Sequence, residues 1–325
     1  MNTFGNLFKV QIFGESHGVA VGVVIDGVPP GVAIERRDFA ADLERRAGGK
    51  KGGTPRVEED SLQLLSGIYN GFSTGTPIAI IVNNLNTRSK DYDNLKSTPR
   101  PGHADFVSLK KFRGFADPRG GGHHSGRVTL GLVIAGVIAK KITPNVEYRA
   151  QILSIGGERR WEEKLEEALE RGDSLGGIIE CVVKNVPVGL GNPFFDSVES
   201  LLSHIVFAIP GVRAIEFGDG FKASSMWGSQ HNDPIVESGG KTLRNASGGI
   251  NGGITNGNPI LFRVGVKPTS SISLPQETLN LESGKIEPLV VEGRHDTSFA
   301  LRVPVILEAV SAIAIANLIL EGTPS

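Results

Sequence analysis

The stretch 303–320 constrains the fold more than any other part of the chain. It is the most hydrophobic run in the sequence, interrupted only by Glu308, Ser311 and Asn317. A helix that is apolar on nearly every side must be buried, in lipid or in protein. Nothing else in the 325 residues suggests a membrane protein, and the opening Met-Asn-Thr-Phe-Gly lacks the basic and apolar regions of a signal peptide. The run therefore reads as a buried helix, in a chain long enough to build a substantial core.

Residues 7–13, 19–26, 77–82, 146–155, 177–186 and 259–267 are rich in β-branched side chains and predict strands. Helical patterns cover 35–47, 128–142, 159–171, 197–208 and 303–320. In the third of these Trp161, Leu165 and Leu169 recur every fourth residue among Glu and Lys. Gly48 stands where a helix C-cap glycine belongs. Strands and helices are mixed without strict alternation, which predicts an α+β fold of layers sharing one core. No linker or composition break divides residues 1–325, so the chain reads as a single domain.

A formal net charge of -1 argues against a general nucleic-acid binder. Cys181 is the only cysteine, which excludes an intramolecular disulfide and favours a reducing, cytoplasmic setting. Its Ile-Ile-Glu-Cys-Val-Val context reads as a buried strand thiol, not a nucleophile. Glycine is the anomaly: 43 residues, about 13% against a usual ~7%, concentrated in a few polar segments. Such segments let backbone approach a ligand closely.

Three cofactor motifs can be set aside. Gly240-Lys241-Thr242 resembles the end of a P-loop, but Ile235 occupies the place of the leading glycine. Gly218-Asp-Gly220-Phe-Lys-Ala223 loosely matches a dinucleotide fingerprint, yet 224–228 does not read as a helix that would receive a pyrophosphate. The neighbours His123 and His124 have no cysteine or HExxH partner, so no metal site is expected.

Of seven histidines, His204 alone lies on an amphipathic helix, as an ordinary surface or core-edge residue. The others, His17, His103, His123, His124, His231 and His295, fall in Gly-, Ser-, Arg- or Asp-rich segments. Each alone reads equally well as a capping or solvated loop residue; six together do not. Cations accompany glycine in the same way. Arg45, Arg46, Lys50, Lys51 and Arg56 surround the glycines at 48–53, and Arg100, Arg127 and Arg294 each lie in a Gly- and His-containing block. Guanidinium forks bind carboxylate or phosphate, and imidazoles transfer protons. From the residues alone, the chain is an enzyme acting on a phosphorylated, carboxylated metabolite. A faint internal echo places one such cluster, 123–127, before the helix at 128 and another, 294–298, before the helix at 303, where helix N-termini favour anions.

Several blocks resemble the chorismate synthase family, in its order: Phe13-Gly-Glu-Ser-His-Gly18, Arg100-Pro-Gly-His-Ala-Asp105, Gly120-Gly-Gly-His-His-Ser-Gly-Arg127, Gly218-Asp-Gly-Phe221, the glycine-rich 248–257, Lys267-Pro-Thr-Ser-Ser271 and Gly293-Arg-His-Asp296. The chain departs from the family pattern at Lys51, where arginine is usual, at His123 and His124, which replace Arg-Ser, and at Thr297, which replaces proline. It is also short for the family, which suggests trimmed loops.

The resemblance implies a carbon–oxygen lyase of the shikimate pathway to aromatic amino acids. The reaction is an anti 1,4-elimination of phosphate from 5-enolpyruvylshikimate 3-phosphate that needs reduced FMN without net redox change. It implies catalytic roles for His103, as acid to the leaving phosphate, for His17, beside the flavin N1 and C2 carbonyl, and for Asp296, in proton movement at flavin N5. FMN contacts would come from His123, His124, Ser125, Pro210, Gly211, Gly252, Lys267, Pro268, Thr269, Ser270, Ser271 and Arg294, and substrate contacts from Arg46, Lys51, Arg100, Arg127 and Arg294. A helix-capping role competes for Asp296. The family fold is a β-α-β sandwich, with sheets packed together beneath outer helices, in a homotetramer. No reductase domain is visible, so an external flavin reductase, with NADPH as indirect reductant, is expected. The alternatives are an FMN-dependent oxidoreductase, against which the missing nicotinamide fingerprint counts, and a non-catalytic anion- or RNA-binding protein, which the near-zero charge disfavours.

Overall fold

The computed structural model describes residues 2–49, 51–54, 60–86, 95, 97–291, 293 and 295–322. One sheet is built from Thr3–Phe4 (β1), Lys9–Gly14 (β2), Ala20–Asp26 (β3), Leu62–Ser66 (β4) and, after the hairpin Ile68–Tyr69 (β5) and Phe72–Ser73 (β6), Ile78–Asn83 (β7). Its antiparallel order is β1-β2-β3-β7-β4. The second sheet joins Glu147–Ile155 (β8), Gly177–Lys184 (β9), Val212–Phe217 (β10) and, beyond the small hairpin Ile250–Asn251 (β11) and Ile254–Thr255 (β12), Ile260–Val266 (β13), in the order β10-β13-β9-β8. A third hairpin pairs Gln276–Leu279 (β14) with Ile286–Leu289 (β15). The helices are Ala40–Arg46 (α1), Asp105–Lys111 (α2), Thr129–Ile142 (α3), Glu162–Arg171 (α4), Val198–Val206 (α5), the short Gly228–His231 (α6) and Val303–Glu321 (α7).

All six expected strands and all five expected helices are present. The strands β1, β4–β6, β10–β12, β14 and β15 and the helices α2 and α6 are additions; most are short, β10 mixes Arg213 and Glu216 with apolar residues, and α2 buries no residue fully. Two local readings are corrected. The left-handed glycine after α1 is Gly49 (φ 85), because Ala47 already turns to an extended conformation. On α4, Leu165 and Ala168 are buried, whereas Leu169 is largely exposed.

Helix α3 lies against β2 and β3 of the first sheet, α7 lies against β8 and β9 of the second, and α3 and α7 pack on each other. The two helices therefore run between the sheets, not outside them as the resemblance implied. Contact is close where a Cβ on Gly136 of α3 would stand 2.3 Å from the Cβ of Ala309 on α7. Helix α7 is long and apolar enough to cross a membrane, and 83% of its apolar window is buried inside the protein.

The polar interruptions of α7 each have partners. Glu308 accepts two bonds from Arg45, at 2.6 and 2.8 Å, and one from the Ala150 N–H at 3.0 Å. Asn317 Oδ1 accepts the N–H groups of Asn6, Leu7 and Phe8. Ser311 donates to the Leu307 carbonyl. Cys181 is buried beside Ser311, and burial pushes its thiol up to about 12, in keeping with an inert core thiol.

Candidate active site

A cavity of about 740 Å3 lies where the N-terminal ends of α3 and α7 meet residues 16–17, 46–48 and 54 and the segments around 100–104 and 267–271. This volume falls in the range of about 300–1,000 Å3 typical of small-molecule sites. Both clusters of the internal echo reach it. Gly126–Val128 and Phe299–Arg302 form short 3-10 turns that lead into α3 and α7.

The glycine block 120–122 has a definite steric task. All three residues have positive φ (60, 82 and 53), a conformation that glycine adopts without penalty. A Cβ at Gly120 would come 2.6 Å from the His17 ring, and one at Gly121 would come 3.4 Å from Cε1 and Nε2 of His103. The bare backbone thus passes between two imidazoles. The Ser16 N–H donates to the Gly122 carbonyl at 3.0 Å, and His123 Nδ1 lies 2.8 Å from the Gly14 carbonyl. A carbonyl only accepts, so that nitrogen of His123 carries the proton.

On the His103 flank, Nδ1 is 2.6 Å from Asp105 Oδ1. Asp105 also receives Arg100 Nε and Nη2 at 2.7 and 2.8 Å, and Arg100 Nη1 donates to Ser271 at 2.9 Å. Burial opposes ionisation of Asp105, but the Arg100 and His103 hydrogen bonds prevail and hold its carboxyl well below the usual range. The His103 imidazole is pushed down, chiefly by burial and secondarily by Arg100 and Lys267, with Asp105 opposing. Lys267 Nζ donates to the Gly102 carbonyl at 2.7 Å and to Ser270 at 2.5 Å, which ties the 267–271 loop to the His103 loop.

The opposite flank is cationic. Arg46, 1% exposed, donates to Thr129 and to the carbonyls of Gly126 and Arg127, and its Nη1 lies 3.7 Å from Asp60. Burial, then Arg302 and Arg127, work against its charge; a guanidinium nevertheless stays protonated. Arg127 donates from Nε to Asn84 at 3.0 Å and from Nη1 to Asp60 at 2.5 Å. Its Nη2 is buried with no partner among the described residues. Asp296 accepts the Thr54 N–H at 2.8 Å and lies 3.4 Å from Arg302 Nη1. Ser298, not Asp296, is the N-cap residue of the turn leading into α7, so the capping alternative for Asp296 fails.

His17, His103, Asp296, Arg46, Arg100, Arg127, His123, His124, Ser125, Pro210, Gly211, Lys267, Pro268, Thr269, Ser270 and Ser271 all line this one cavity. Two candidates do not join them, and a third, Arg294, lies outside the described residues. Lys51 is exposed and pairs with Glu166. Gly252 sits in the β11–β12 turn, away from the cavity lining. Lys50 and Arg56 also lie outside the described residues. Arg100 does line the cavity, but its fork is committed to Asp105 and Ser271. His204 also reaches the lining, against its plain helix-surface reading. Sequence reasoning missed Asp60, Asn84, Asp105 and Arg302. Of these, only Asp105 carried a signal, since it closes the Arg-Pro-Gly-His-Ala-Asp block.

The sequence model described as chorismate synthase matches residues 8–320. A chorismate synthase of Chitinophaga pinensis is 56% identical over 321 residues, covering 98% of this chain and 97% of its own. Those of Dehalococcoides mccartyi and Methanocaldococcus jannaschii are 43% and 41% identical over 353 and 367 residues, each covering 99% of this chain and 97% of the relative. A crystal structure of chorismate synthase shares the fold, with a TM-score of 0.75 at 24% identity over 98% of this chain and 94% of that one. Together with the convergence of five of its seven motif blocks on one cavity, these matches establish that the chain belongs to the chorismate synthase family.

Proposed function

We propose that the chain catalyses the family reaction, the anti 1,4-elimination of phosphate from 5-enolpyruvylshikimate 3-phosphate to give chorismate. The observation that carries this reading is the cavity itself: two imidazoles flank a side-chain-free backbone, and a buried guanidinium nitrogen of Arg127 lacks an acceptor among the described residues. A substrate with one phosphate and two carboxylates would answer that excess of positive charge. In the elimination the carbon–oxygen bond to phosphate breaks at one ring carbon and a proton leaves another.

His103 is assigned as the acid for the departing phosphate. Burial lowers its pKa, and an anionic phosphate beside it raises it again, so the imidazole takes up its proton as substrate arrives. Arg46 and Arg127 hold phosphate and carboxylate oxygens, and Asp296, fixed by the Thr54 N–H and Arg302, assists the movement of the ring proton. Lys51 is not retained as a substrate contact.

The lining fits reduced FMN. Thr269 Oγ1, like Arg127 Nη2, is buried without a partner among the described residues, and both residues line the cavity. His17, His123, His124, Ser125, Gly211 and the 267–271 loop would hold the cofactor, with His17 balancing its charge. When bound, reduced flavin lends an electron transiently and recovers it, while the protein supplies orientation and excludes water.

Reduction is assigned to a separate flavin reductase drawing on NADPH. In support, Gly220–Ser225, which overlaps the loose dinucleotide motif at 218–223, is a 3-10 turn that offers no α-helix terminus to a pyrophosphate. We assign a cytoplasmic location from the single reduced thiol, and a homotetramer from exposed Phe194, Phe195, Phe221, Trp227 and Ile235. Sedimentation at micromolar concentration should give a multiple of 34.5 kDa; a monomer mass overturns the assembly. The functional test is anaerobic phosphate release from 5-enolpyruvylshikimate 3-phosphate with photoreduced FMN. Turnover without flavin oxidation is expected. Stoichiometric flavin oxidation would instead indicate an FMN-dependent oxidoreductase.

A further inference from the structure

We propose that Asp105 is a positioning residue for His103, holding the imidazole as its Nδ1–H tautomer so that the Nε2 edge serves the cavity. The inference rests on the assignment of His103 as the acid. An ionised carboxylate only accepts hydrogen bonds, so the 2.6 Å contact between Asp105 Oδ1 and His103 Nδ1 requires the proton on Nδ1. Asp105 itself has little freedom to turn. Arg100 grips Oδ2 through Nε and its backbone N–H and grips Oδ1 through Nη2, and Arg100 is anchored in turn by Ser271. On the far edge of the ring, Gly121 provides the clearance: its missing Cβ would stand 3.4 Å from Nε2. Ser271 belongs to the segment assigned to the cofactor, so a continuous Ser271–Arg100–Asp105–His103 chain links flavin loop and acid.

The charged groups around His103 define the sign of the test. Arg100 and Lys267 are cations, His124 lies close enough to interact, and among the described residues Asp105 is the anion that opposes them. Removing that anion makes the imidazole harder to protonate. An acid catalyst fails as pH rises through its pKa, so the alkaline limb must move to lower pH.

In the tetramer labelled with 15N-histidine, the His103 resonance, assigned by its loss in His103→Ala, should report the Nδ1–H tautomer near neutral pH. In Asp105→Asn the tautomers should mix, and the midpoint of the His103 titration should fall by about one pH unit or more. The alkaline limb of phosphate release should move with it, with kcat lowered at least ~10-fold, KM nearly constant and partial recovery in Asp105→Glu. A wild-type Nε2–H tautomer, or a His103 titration unchanged in Asp105→Asn, overturns the inference even if the variant loses activity through misfolding. If His103→Ala retains full phosphate release, the acid assignment fails instead, and the tautomer measurement still decides whether Asp105 positions the ring.

Discussion

The two flanks of the cavity use arginine in opposite ways. On the His103 side, Arg100 is spent inside the protein: both carboxylate oxygens of Asp105 and the Ser271 hydroxyl take its fork. On the other side, the carboxylates that pair with Arg46, Arg127 and Arg302 among the described residues are Asp60 and Asp296, and Arg127 Nη2 has no acceptor among them. A neutralised guanidinium orients a neighbour, whereas an under-compensated one awaits an anion. The difference assigns proton handling to one flank and anion binding to the other.

His103→Ala attacks the proton flank directly. Turnover with saturating reduced FMN should fall about 10²–10⁴-fold, while FMN affinity, read by fluorescence quenching, changes little. His17→Ala should instead disturb the flavin spectrum as well as the rate, since His17 lies against Gly120 on the other side of the bare backbone. Asp296→Asn asks whether the anion flank also handles a proton. Ser298 occupies the N-cap, so the folded protein and its Tm should persist while turnover drops by roughly 10²-fold. Near-normal turnover would remove Asp296 from the mechanism.

Gly120→Ala probes the backbone that separates the flanks. It imposes a positive φ on alanine and a Cβ 2.6 Å from His17, so denaturant unfolding should show a loss of about 1–3 kcal/mol. The smallest effect belongs to Lys51→Ala. An exposed pair such as Lys51–Glu166 contributes about 0–1 kcal/mol, so kcat and KM should stay within about twofold of wild type; a large rise in KM would return Lys51 to the site.

The contrast between flanks was only partly legible in the sequence. Helix α7 announced itself through apolar length, and the His-, Gly- and Arg-containing blocks announced the site through composition and order. What stayed hidden depends on pairings between distant segments. Asp60 meets Arg127 across 67 positions, and nothing near Asp60 in the chain signals it. Lys51 was assigned to the substrate by its place in a motif, and only the proximity of α4 shows it turned toward Glu166. The order of layers was equally inaccessible. Periodicity identified α3 and α7, but the small residues Gly136 and Ala309 that let them meet between the sheets have no signature in either helix alone.

The flank assignment is tested most directly by calorimetric binding of 5-enolpyruvylshikimate 3-phosphate to Arg127→Lys and Arg100→Lys, each first shown to be a folded assembly. Lysine supplies charge without a fork, so only an arginine that meets the ligand should register in affinity. A lost hydrogen bond to a charged group is worth about 1.5–3 kcal/mol, so Arg127→Lys should weaken binding roughly 10–150-fold, whereas Arg100→Lys should remain within about threefold of wild type. Equal losses in the two variants, or the larger loss at Arg100, would contradict the division of the cavity into a proton flank and an anion flank.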